Sequence, residues 1–149
     1  MEKLVIVGCG KLAGIVADAI LNGLLPDYEL VGVCSRTLAK AESLADKMCQ
    51  HGFPCVACDS LESLLALKPK YLVEAASPAA MRELALPALE NGTSIVTLSI
   101  GALADKAFCQ KVKERAKANN ARVYIASGAT GGFDVLRTAS LMGNASARF

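Results

Sequence analysis

The sequence has no tryptophan, one histidine, only seven other aromatic residues and no run of basic residues. With so few aromatic anchors, the core must be built from Ala, Leu, Val and Ile, a composition that suits strands buried on both faces. Sixteen Lys and Arg against fourteen Asp and Glu leave a net charge of +2, and their scatter argues against a nucleic-acid surface. No stretch is long and apolar enough to span a bilayer. The opening Met1-Glu2-Lys3-Leu4-Val5 runs straight into an apolar strand with no charged n-region or cleavage site, so a cytoplasmic protein without membrane partners is expected. The six cysteines lie scattered in apolar segments, which reads as reduced, mostly buried thiols. Cys55-Val56-Ala57-Cys58 has CxxC spacing but no second pair or nearby His to complete a tetrahedral site, so no metal is expected. The 149 residues are enough for one core and not for two.

What is present is a strict alternation of short apolar runs and amphipathic stretches. Residues 3–7 form a strand stopped by Gly8, and 11–25 follow with helical spacing of Leu12, Ile15, Val16, Ala19 and Ile20. A second strand at 29–34 leads to a helix capped by Thr37 and running to about 48, with Leu38, Ala41, Leu44 and Ala45 on one face. Strands at 53–58, 71–75, 94–98 and 122–126 alternate with a short helix capped by Asp59 or Ser60, a helix opened by Pro78, and a long helix over 104–118. Connections this short, between strands and helices in this order, require a mainly parallel sheet with right-handed crossovers. The fold class is α/β, a doubly wound Rossmann-type sheet, with 1–149 as one nucleotide-binding domain.

The segment Gly8-Cys9-Gly10-Lys11-Leu12-Ala13 reads G-x-G-x-x-A between the first strand and first helix. Glycines there permit a tight turn and close approach of the backbone, while the helix N-terminus, at Lys11 and Leu12, offers free N–H groups to a pyrophosphate. The second strand ends Cys34-Ser35-Arg36-Thr37, where a carboxylate commonly binds the adenosine ribose. Ser35 removes that carboxylate, and Arg36 can pair with a 2′-phosphate, with Lys40 one turn further on. The expected cofactor is therefore NADP or NAD, with NADP favoured.

Later strand ends should line the same crevice. They are small and polar: Ala75, Ala76 and Ser77 after the fourth strand; Ser99, Gly101 and Ala102 after the fifth; Ser127, Gly128 and Ala129 after the sixth. Such side chains leave room for a nicotinamide ribose and ring. Glu74 ends its strand with no evident partner, and Asp59 and Asp105 look like helix caps. His51 lies in the polar turn Gln50-His51-Gly52, the setting of a solvated histidine rather than a proton-transfer group. No catalytic residue can be named.

Three strings, Val73-Glu74-Ala75-Ala76-Ser77, Ser99-Ile100-Gly101-Ala102-Leu103-Ala104-Asp105 and Ser127-Gly128-Ala129-Thr130-Gly131-Gly132-Phe133-Asp134, resemble the aspartate dehydrogenases of the homoserine-dehydrogenase-like group. The resemblance spans nearly the whole chain. It implies an NAD(P)-dependent oxidoreductase that deaminates L-aspartate to iminoaspartate or oxaloacetate, linked to NAD biosynthesis, and a homodimer. It also implies that the 75–77 and 127–129 loops approach the nicotinamide, and that a following α+β domain, absent from this chain, brings substrate-binding groups and a catalytic histidine. Residues 131–149 are then the start of the connection to that domain, with an apolar patch around Leu136, Leu141 and Met142. Two other readings stand beside this one: a stand-alone dinucleotide-binding or scaffolding module, and a homoserine dehydrogenase-like or dipicolinate-type reductase on the same framework.

Overall fold

Strand β1 (Glu2–Val7) is the hub of the sheet in the computed structural model, which describes residues 1–126. It is followed by α1 (Lys11–Leu21), β2 (Tyr28–Cys34), α2 (Leu38–Gln50), β3 (Val56–Cys58), α3 (Leu61–Leu65), β4 (Tyr71–Glu74), α4 (Pro78–Glu90), β5 (Ser94–Thr97), a 3₁₀ turn (Ile100–Ala104), α5 (Lys106–Ala118) and β6 (Val123–Ile125). The strands lie in the order β3-β2-β1-β4-β5-β6 and every pairing is parallel. From β1 the chain steps one way to β2 and β3, then crosses back to β4 on the other side. The crevice above that reversal is where open α/β sheets bind ligands.

Alternation along the strands divides the core in two. Leu4, Ile6, Leu30 and Val33 face α1 and α2, while Val5, Leu72 and Ile95 face α3, α4 and α5. Helices thus cover both faces, giving the doubly wound α/β architecture that the alternation of segments demands.

The local differences from the sequence reading have physical causes. Helix α1 stops at Leu21 rather than continuing to 25, because Gly23 takes φ +70° and the N–H groups of Gly23 and Leu24 return to the carbonyls of Ile20 and Ala19, a left-handed closure of the last turn. Its buried face is Ala13, Ala17 and Ile20, whereas Leu12 and Ile15 are 52% and 56% exposed. Near its N-terminus the helix packs on the sheet through the methyl groups of Ala13 and Ala17, and only its last turn buries the larger Ile20. Strand β3 begins at Val56 and not at 53, since Pro54 has no N–H for a ladder. Helix α5 starts at Lys106 rather than about 104, behind the 3₁₀ turn. Thr37 stands at the N-cap of α2 without a side-chain capping bond, and Ser60, not Asp59, caps α3.

Leu72 is fully buried at the centre of the sheet and Leu24 is 71% exposed. Leu72→Ala should lower stability by about 3 kcal/mol, and Leu24→Ala should stay within about 0.5 kcal/mol of wild type; urea unfolding of the two variants checks both.

Candidate functional site

The site begins with a steric constraint. Gly8 has φ +95°, and a Cβ placed on it would lie 2.6 Å from the carbonyl oxygen of Ala75 and 2.8 Å from the Cβ of Ala76. The Gly8 N–H donates to the Cys34 carbonyl at 2.8 Å, and the Ala75 N–H donates to the Val7 carbonyl at 2.9 Å. The ends of β1, β2 and β4 are therefore locked together at one residue that must lack a side chain. Gly10 is the extended N-cap of α1, and the space its Cβ would occupy is open to 4 Å. No described side chain caps α1 or α2, whereas Ser60, Ser77 and Asp105 cap α3, α4 and α5. The first-turn N–H groups of α1 are left for an outside acceptor.

Above this turn opens a cavity of about 630 Å³. Of the residues singled out from sequence, Gly8, Gly10, Ser35, Arg36, Ala75, Ala76 and Ser77 line it, together with Lys40. Lys11 and Leu12 stand in the first turn of α1, beside the cavity and outside its wall. Ser99, Gly101 and Ala102 do not line it either. Ser99 is engaged by Glu74, and Ala102 is drawn into the core beneath α4 and α5 by the 3₁₀ turn, where it is 1% exposed. Ser127, Gly128 and Ala129 lie outside the described residues, as do the rest of that string and Leu136, Leu141 and Met142. The sequence reading missed Cys9, Asp59, Ser60, Ala79, Ala80 and Glu83, which also line the cavity. The last three were accessible to it, since Ala79, Ala80 and Glu83 recur at helical spacing behind the Ser77 cap.

Glu74 corrects the sequence reading, which left it without a partner. It is fully buried at the end of β4. Its Oε1 accepts from the N–H groups of Ala76 and Ser77, each at 2.9 Å, and from the Ser99 hydroxyl at 3.0 Å. Its Oε2 accepts from the Thr97 hydroxyl at 2.7 Å and the Ser99 N–H at 3.2 Å. A carboxylate is acceptor-only when ionised, and here every partner donates. The available signal was the pair of hydroxyl residues at the neighbouring strand end.

Burial raises the Cys9 thiol to about 11, with Cys34 beside it adding to the shift. Burial likewise raises Cys55 to about 12, helped by Cys49. All six thiols are free, with Cys55 and Cys58 buried and Cys49 exposed. His51 is exposed at the end of α2, its Nδ1 2.8 Å from the Lys47 carbonyl, and takes no part in the cavity wall. Among the described residues no helix is long and apolar enough to cross a membrane.

Two outcomes follow from this geometry. Gly8→Ala should lose about 2 kcal/mol or more of stability, from positive φ and contact with the Ala75 backbone, together with any ligand affinity; thermal unfolding and titration read the two losses. Because the thiolate is the reacting form, iodoacetamide at pH 7.5 should label Cys49 before Cys9. Labelling of Cys9 should then rise about tenfold per pH unit toward its raised pKa, followed by mass spectrometry of peptides.

Comparison with known proteins places this geometry. L-aspartate dehydrogenase of Methanocaldococcus jannaschii is 32% identical over 141 residues, covering 95% of this chain and 51% of that protein. The enzyme of the same name from Methanothermobacter thermautotrophicus is 37% identical over 139 residues, covering 93% and 51%. The crystal structure of aspartate dehydrogenase from Thermotoga maritima superposes with a TM-score of 0.66 at 26% identity, over 93% of this chain and 51% of that one. The chain thus spans about half the length of the curated relatives it matches. The family model described as "Homoserine dehydrogenase, NAD binding domain" matches residues 8–126, from the glycine turn to the end of the sixth strand, and the chain belongs to that family.

Proposed function

We propose that the cavity holds NADP or NAD and that the domain is the cofactor half of an L-aspartate dehydrogenase. The observation that carries this reading is the glycine turn opening onto a cavity with Arg36 and Lys40 on its wall. The residues suit the cofactor. Gly8 and Gly10 let a pyrophosphate approach the uncapped N–H groups of Lys11 and Leu12. Ser35 puts no carboxylate where it would repel a 2′-phosphate, and Arg36 supplies a planar fork that pairs with one. Ala75, Ala76 and Ser77 keep the opposite wall low, and Ser99, Gly101 and Ala102 shape the adjoining loop from behind it.

Bound NAD(P) supplies the hydride acceptor. The residues of this chain bind it, orient it and exclude water from its pyrophosphate, and the amino-acid substrate and its proton acceptor belong to the remaining half of a longer protein. Aspartate is preferred to homoserine as substrate because the individual relatives carry the former name. The reaction is oxidative deamination to iminoaspartate or oxaloacetate, in a cytoplasmic homodimer, as a step that feeds NAD biosynthesis.

Titration with NADPH and NADH, wild type beside Arg36→Ala, tests the site. NADPH affinity should fall by roughly tenfold or more on losing one charge-assisted contact, and NADH affinity by much less; a wild type that binds neither nucleotide saturably sinks the reading. Aspartate-dependent reduction of NADP or NAD by a full-length protein, without turnover of homoserine, tests the substrate.

A further inference from the structure

We propose that Glu74 is a positioning residue for the nicotinamide half of the cofactor, an inference that rests on the reading of the cavity above. A dinucleotide lies across the reversal of strand order, with its pyrophosphate at the first helix. Arg36 and Lys40, after β2, then mark the adenosine side; the loop after β4 lines the cavity opposite them and, with the loop after β5 behind it, leads toward the nicotinamide side. Glu74 ties those two loops together.

The backbone cannot do so. The β4–β5 ladder ends at the pair Glu74–Thr97, and the Leu98 N–H to the Glu74 carbonyl, 3.1 Å, is the last main-chain link between them. Beyond it one chain turns into α4 and the other into the 3₁₀ turn. The Glu74 carboxylate continues the connection where the ladder stops. Oε1 gathers Ala76, Ser77 and the Ser99 hydroxyl, and Oε2 gathers Thr97 and the Ser99 N–H. The Ala75–Ala76 segment it holds is the one that lies against Gly8.

Glu74 is fully buried and does not line the cavity, so it acts through the loops rather than on the ligand. A buried carboxylate costs desolvation that an apolar side chain would avoid. What the carboxylate provides, and an apolar side chain cannot, is a fixed distance between two backbone segments that share no ladder.

The test separates the two halves of the ligand. Glu74→Gln keeps the shape but turns a donor toward donors, and Thr97→Val removes one donor to Oε2 in an isosteric, buried position outside the cavity wall. NADPH binding is followed by nucleotide fluorescence, and adenosine 2′,5′-bisphosphate, which lacks the nicotinamide half, by calorimetry. Glu74→Gln should weaken NADPH roughly tenfold or more and Thr97→Val about threefold, each leaving the bisphosphate within about twofold of wild type and reducing the emission change of bound NADPH. Equal weakening of both ligands in Thr97→Val, or no change in NADPH, overturns the positioning role; if Glu74→Gln does not fold, Thr97→Val decides alone. A wild type that binds neither ligand overturns the cofactor reading and this inference with it, an outcome distinct from both.

Discussion

The approach of Gly8 to the carbonyl of Ala75 sets the geometry of the whole carboxyl edge of the sheet. A residue with φ +95° whose Cβ would fall 2.6 Å from a backbone oxygen must be glycine. Because that residue also donates to the Cys34 carbonyl, the turn holds three strands in one register. The direction in which α1 leaves the sheet, and so the aim of its uncapped N-terminus, follows from this contact. So does the burial of Ala13 and Ala17, which have to be small because the helix starts so near the strands.

The cavity above the turn is asymmetric in chemistry. One wall carries Arg36 and Lys40 beyond Ser35, and the other is a helical stripe of alanines ending in Glu83. Positive charge opposite small apolar side chains suits a ligand with phosphate near one wall and a flat ring system between them. Cys9 and Cys34 also line this space, and burial keeps the Cys9 thiol protonated well above neutral pH.

Behind the cavity, polar groups are arranged to hold backbone in place. Thr93, fully buried, donates its hydroxyl to the Pro69 carbonyl at 2.9 Å and accepts from Asn91 at 3.1 Å, fixing the entry to β5. Glu74 does the same at its exit. Among the described residues no buried side-chain polar atom lacks a partner, which is what allows a carboxylate to sit at the sheet edge without the cost of an unmet charge.

The alternation of strands and helices, the parallel sheet, the glycine turn and the basic residues after the second strand were all legible in the sequence, because each depends on periodicity or on residues adjacent in the chain. Helix ends and the buried face of α1 were less so, since apolar spacing does not report how near a helix stands to its sheet. Which loops meet at the cavity, and the partners of Glu74, were decided only by the tertiary structure. Thr97 and Ser99 lie 23 and 25 residues beyond Glu74, and they reach its carboxylate only because β5 pairs beside β4. A buried charge and its donors are brought together by strand order, a property of the whole sheet that no local pattern of residues encodes.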